Sequence, residues 1–232
     1  MRIRILSILI CAAWMFISMT AAAGQTRTLT KDEYKKAEQS LLDAVGKHAY
    51  RVEYTEELRE AKGGKLKARK AMTIESIPPD RHHRRITMTF GDSSSTVEHI
   101  LIGEKSFWRQ GDGPWSFDGP TGPQYLLIDD VLPEELFSAE YSVKKSALNG
   151  TPMDFYERKL TWQRKDDKEK TKTTSIERTS LWVRPDGNLA KRYSERERFD
   201  GGPFWTTTEI FETAAGLKIE EPIVKGDKNN HE

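Results

Sequence analysis

The side chains able to do chemistry in this 232-residue chain are few and poorly grouped: five histidines, one cysteine and scattered carboxylates. His82 and His83 are adjacent, so on a strand they point to opposite faces and cannot converge on one metal ion. His99 stands alone on a strand, and His48 falls at the end of a helix, where a cation is favourable. No pair of metal ligands has a productive spacing. Asp129-Asp130 and Glu134-Glu135 resemble paired carboxylates for acid–base work. They surround a predicted helix start, where acids serve as caps. "GDSSS" reads as a turn, and no nucleophile elbow, P-loop or dinucleotide fingerprint is present. No catalytic residue, metal or cofactor is therefore predicted, and the chain reads as a non-enzyme.

Charge excludes another class. Lys and Arg number 37 against 36 acidic residues, so the basic excess of a nucleic-acid binder is missing. The unusual feature is instead aromatic. "SFWRQGDGPWSFDGP" puts Phe107, Trp108, Trp115 and Phe117 around one tight turn. Phe107 and Trp108 must face opposite sides of their strand. Such residues either fill a core or line a place for an apolar ligand. Trp115 is the expected partner of whichever one sees a hollow.

The elements that hold these residues begin after a targeting segment. Arg2 and Arg4 precede an apolar run from Ile5 to Met19, and Ala21-Ala22-Ala23 fits a cleavage site. The run is about 15 residues, short for a membrane span. Residues 1–23 are therefore read as a signal peptide of an exported, periplasmic protein, with a Gram-negative envelope as its setting. Cys11 lies inside it, and Ile10 is too large for a lipoprotein cleavage site. The mature chain then has no thiol and no disulfide. Residues 24–224 are expected to form one domain, held by its core alone, and 225–232 a disordered tail.

A helix opens that domain. Thr30 and Glu33 make a capping box, and Tyr34, Ala37, Leu41, Leu42 and Val45 recur at helical spacing to about Gly46. The pattern then changes to period two. "YRVEYTEEL", "LKARKAMTIESI", "RRITMTF", "TVEHILI" and "SFWRQ" alternate and are separated by Gly, Pro and Asp turns. "PTGPQYLLIDDVLPEELFS" breaks the meander and suits a helical insert starting at Pro133. Strands resume at "AEYSVKKSAL" and run to "PFWTTTEIF"; "RPDGN" marks a hairpin and "RKDDKEKTK" a solvated tip. In "SERERF", Glu195 and Glu197 alternate with Arg196 and Arg198, as on a solvated edge with cross-strand pairs. The fold class is α+β, mainly β: a single curved antiparallel sheet of about 10 or 11 strands, an incomplete barrel with an N-terminal helix and a mid-chain helical lid.

So wide a sheet twists and curls, and one helix cannot cover its apolar face. The remainder is expected to line a cavity. By parity and type the candidate ligand-binding residues are Met72, Ile74, Ile86, Met88, Phe90, Ile100, Ile102, Trp108 and Trp115. "PPDRHHRR" is a basic strand entry suited to peripheral contact with anionic headgroups.

The chain also resembles a known family. "EHILIGEKSFWRQGDGPWSF" and "TEIFETAAGLKIEEP" sit within an order of signal peptide, helix, meander, insert and second meander. This is similar to exported lipid-binding proteins of the LolA/LolB type, which sort outer-membrane lipoproteins. The matching positions are Ile102-Gly103, Lys105, Phe107-Trp108, Gly111-Asp112-Gly113, Trp115, and Ile219 with Pro222. The resemblance implies a half-barrel with a helical lid and a hydrophobic cavity for acyl chains. It implies a carrier of a lipid or lipidated protein, with no covalent chemistry. The alternative on the same scaffold is an envelope protein-interaction or stress-sensing module, with a protein partner.

Overall fold

The computed structural model describes residues 25–117, 135–165 and 170–224. A short strand β1 (Arg27–Thr28) precedes helix α1 (Lys31–Val45). Eleven further strands follow: β2 (Tyr50–Arg59), β3 (Leu66–Ile77), β4 (Arg81–Phe90), β5 (Ser93–Ile102), β6 (Lys105–Gln110), β7 (Ser116–Phe117), β8 (Glu135–Leu148), β9 (Thr151–Lys165), β10 (Thr171–Val183), β11 (Leu189–Arg198) and β12 (Phe204–Thr213). They form one 12-stranded sheet in the order β1-β8-β9-β10-β11-β12-β2-β3-β4-β5-β6-β7. Every pairing is antiparallel. The sheet is open, with β1 and β7 at its two edges.

Local chemistry explains the ends of these elements. The Thr30 hydroxyl accepts from the Glu33 amide at 3.2 Å, and the Glu33 carboxylate accepts from the Thr30 amide at 2.8 Å. This reciprocal cap starts α1 where the sequence placed it. β8 and β9 are joined by Asn149-Gly150, both at positive φ (51° and 80°). That is the geometry a two-residue hairpin needs to follow strand twist.

Two apolar clusters sit on opposite faces of the sheet. On the first face, α1 lays Tyr34 and Leu41 onto Val52, Leu181, Val183, Leu189 and Phe211. On the second, the segment after β12 returns across β5 and β6, placing Ile219 on Ile100 and Phe107. This strap is tied by Arg81, whose guanidinium donates to the Ile219 carbonyl at 2.9 Å, and by Lys105 to Glu221 at 3.0 Å.

Three expectations need correction. No mid-chain helix is seen among the described residues, and the strand β8 already starts at Glu135, where the first helical turn was expected. Alternation in "EYSVKKSAL" and pairing with β9 along its whole length override the capping signal there. Residues 118–134, with Asp129, Asp130, Pro133 and Glu134, lie outside the described residues, as do 1–24 and 225–232. Second, there are twelve strands among the described residues, because β1 and β7 are two residues each and too short to show a period. Third, β11 is no edge: it lies between β10 and β12, and Glu195 pairs with Arg178 at 3.0 Å within the sheet.

Candidate functional site: the helix-side face of β3 to β6

Register decides which predicted residues meet. Tyr54 pairs with Met72, Met72 with Ile86, and Ile86 with Val97, so these form one row across β2–β5. Parallel rows place Lys70 beside Met88, Ala68 beside Phe90, and Ile74 on the same face as Trp108 through Arg84 and His99. Met72, Ile74, Ile86, Met88, Phe90 and Trp108 therefore share the face that α1 packs on. Ile74 joins the core beneath α1. Met72, Ile86, Met88, Phe90 and Trp108 belong to neither cluster; Phe90 is 62% exposed, whereas Ile86 is buried at 5%.

Ile100, Ile102 and Trp115 do not join them. Ile100 pairs with Phe107 on the second face, and all three pack in the cluster under the strap. The cause is the hairpin between β4 and β5. Its turn is only Gly91-Asp92, with Phe90 paired to Ser93, so Ser93–Ser95 are strand rather than turn. Even positions on β4 consequently face the same way as odd positions on β5. Phe107 and Trp108 do face opposite sides, but Trp115 keeps company with Phe107 and not with Trp108. The Arg109 guanidinium stacks over the Trp115 ring at 4.7 Å, and Phe117 meets Phe107 edge-on at 5.5 Å.

Register also adds residues that composition did not single out. Val97 and Leu101 on β5, Tyr54 and Leu58 on β2, and Trp205 on β12 share the helix-side face. Tyr54 was legible, since it alternates with Tyr50 and Val52. Val97 and Leu101 were hidden, because β5 is apolar in both parities, the mark of a strand covered on both sides.

Along the same row in the other direction the face becomes polar. Tyr54 pairs with Glu209, Glu209 with Arg192, and Arg192 with Leu181. Burial pushes the Glu209 carboxyl above its ordinary range, with Arg192 acting against that shift. One row over, Arg158 donates to Glu177 at 3.0 Å and to the buried Thr179 hydroxyl at 3.1 Å. His82, also on this face, meets the Ser76 hydroxyl at 3.0 Å, and burial holds its pKa below the ordinary value.

The second face carries an ion-pair ladder. His83 reaches Glu75 at 3.0 Å and Glu98 at 3.6 Å; Arg51 pairs with Glu75, and Arg85 and Arg109 with the buried Glu98. These carboxylates are matched by cations and brace the sheet. Among the described residues, no three metal-ligating side chains come together. Surface clefts of about 380, 390 and 330 Å³ lie beside Trp115 and Ile223, beside Leu136 and Phe137, and along β1 and β8.

No family model and no curated protein matches the sequence. The chain is similar to several solved structures. LprF from Mycobacterium bovis is 11% identical, with a TM-score of 0.45, over 86% of this chain and 99% of that one. A DUF1329 family protein from Desulfovibrio piger is 13% identical, with a TM-score of 0.30, over 81% and 94%. A Vibrio parahaemolyticus domain described as outer membrane lipoprotein-sorting is 10% identical, with a TM-score of 0.25, over 78% and 95%.

Proposed function

We propose that the protein is an exported, periplasmic carrier or binding protein for a lipid or a lipidated protein. Acyl chains lie on the helix-side face of β3–β6, against Met72, Ile86, Met88, Phe90 and Trp108. The observation that carries this reading is that face itself. It carries these five apolar side chains among the polar Lys70, Arg84 and His99, it continues from the core beneath α1, and the five belong to neither of the two packed clusters. The N-terminal segment supports export.

Energetics make the reading sufficient without a catalytic group. Each methylene taken from water contributes about 0.8 kcal/mol. A 16-carbon chain can thus supply on the order of 10 kcal/mol before ordering costs. Native mass spectrometry of protein purified from cells is expected to show acyl-chain adducts that detergent exchange removes. A clean apo mass, with no saturable uptake of a fluorescent fatty acid, would retire the proposal. A stoichiometric protein partner captured without lipid would favour the interaction module instead.

A further inference from the structure

The helix-side face has two ends of different chemistry, joined by one row of side chains. From β11 to β5 the row reads Arg192, Glu209, Tyr54, Met72, Ile86, Val97. Neighbouring strands are about 4.8 Å apart, so Arg192 and Ile86, four strands apart, are separated by roughly 19 Å. An extended acyl chain of ordinary length spans that distance.

At the polar end, several buried donors are left without an acceptor among the described residues. Tyr34 is 1% exposed, yet its hydroxyl has no hydrogen-bond partner among them. The Arg158 Nε and the Trp162 Nε1 are buried and equally unpartnered, and both residues lie on this face of β9. Arg192 is half-buried and makes no hydrogen bond or ion pair among the described residues. The Tyr34 ring lies 5.2 Å from that of Tyr141, the strand neighbour of Arg158, and Tyr34 packs in one cluster with Leu181, the strand neighbour of Arg192. Burial and then Glu38 push the ionisation of the Tyr34 hydroxyl upward, with both guanidiniums acting against them. Buried donors are normally satisfied, because each one left unpaired costs the lost hydration. Glu177 satisfies one Nη of Arg158 and leaves its Nε unused. Glu209, Glu177 and Glu38 bring carboxylates to this end, but among the described residues none of them accepts from the Tyr34 hydroxyl, the Arg158 Nε or the Trp162 Nε1.

We propose that Tyr34, Arg158 and Arg192 form a headgroup subsite for an anionic amphiphile whose tail runs along Tyr54, Met72 and Ile86. This rests on the acyl-binding reading above and adds the polarity and orientation of the ligand. The shared chemistry is an oxyanion on a long chain, whether the carboxylate of a fatty acid or the phosphate of a phospholipid.

The test is displacement of a fluorescent fatty acid by four competitors: oleate, a single-chain phosphatidylglycerol, oleyl alcohol and monoolein. Wild-type protein is expected to prefer the anions by about tenfold or more, the scale of a charge-assisted hydrogen bond. The stronger of the two anions identifies the oxyanion. Arg192→Gln and, separately, Tyr34→Phe are expected to reduce that preference while leaving affinity for oleyl alcohol unchanged. Lys191→Gln, on the second face over Trp182, should leave both unchanged. Circular dichroism confirms that each variant is folded. Equal binding of anionic and neutral competitors, or a preference that survives both substitutions, overturns the subsite and leaves acyl binding standing. If no competitor displaces the probe because the probe never binds, the acyl-binding reading falls and the subsite with it.

Discussion

The two apolar clusters are built alike and used differently. Under α1, Leu181, Val183, Leu189 and Phe211 are sealed by a helix that precedes most of the sheet in the chain. Under the strap, Ile100 and Phe107 are sealed by Ile219, which comes after the last strand. Each cover closes one face over a different set of strands. The helix serves β8–β12 with β2 and β3, and the strap serves β5 and β6. What remains between them on the helix side, from Met72 to Trp108, belongs to neither cluster among the described residues; Ile86 within it is buried and Phe90 exposed. The lesson is that this region is defined by what the two clusters leave, and both must be known to find it.

Substitutions can break this comparison in a graded way. Leu181→Ala and Phe107→Ala remove the centre of one cluster each, and each should cost about 3 kcal/mol or more in urea unfolding. Comparable losses would show that both faces are genuine cores; a negligible loss for Phe107→Ala would mean the strap packs weakly. Ile219→Ala should cost somewhat less, about 2 kcal/mol, and should increase protease cleavage near residue 215 without altering acyl uptake.

A smaller effect depends on pH. Burial raises the folded-state pKa of Glu209 above its unfolded value, with Arg192 opposing. Its stabilising contribution is therefore fully present below the unfolded pKa, near 4.3, and is lost as pH rises through the folded value. Glu209→Gln should consequently gain Tm relative to wild type as pH rises from about 4 to 7. A Tm difference independent of pH would show that the carboxyl is solvated. Least of all in stability, Met88→Ser should change unfolding by under about 1 kcal/mol while weakening acyl uptake several-fold. A large stability loss there would mean that Met88 is core.

Much of this fold was legible because local chemistry dictated it. The Thr30–Glu33 cap, the Asn149-Gly150 turn and the alternation of Tyr50, Val52 and Tyr54 each act over a few residues. Relations between strands were harder. "GDSSS" did not reveal that only Gly91 and Asp92 turn, so the parity of Ile100 and Ile102 against Ile86 was misjudged. The alternating charges of "SERERF" suggested an edge, whereas Arg178 on β10 and Lys62 in the turn between β2 and β3 pair with those residues and allow them to sit on a central strand. Glu134 and Glu135 looked like a helix cap, but the strand partner of Glu135 is Gln163, far downstream on β9. Of the candidate residues, those joined by the β3–β4 hairpin share the helix-side face, and Ile100 and Ile102, whose orientation depends on the β4–β5 turn, do not. The arginines at the polar end escaped notice because nothing local marks Arg158 and Arg192 as neighbours of Tyr34.

The most direct measurement is photocrosslinking with a fatty acid carrying a diazirine near its tail, mapped by peptide mass spectrometry. The label is expected on the helix-side residues of β3 and β4, at Met72, Ile86 or Met88, and excess oleate should suppress it. Labelling concentrated instead on Ile100, Ile102, Trp115 or the strap would place the apolar ligand on the wrong face and contradict the account.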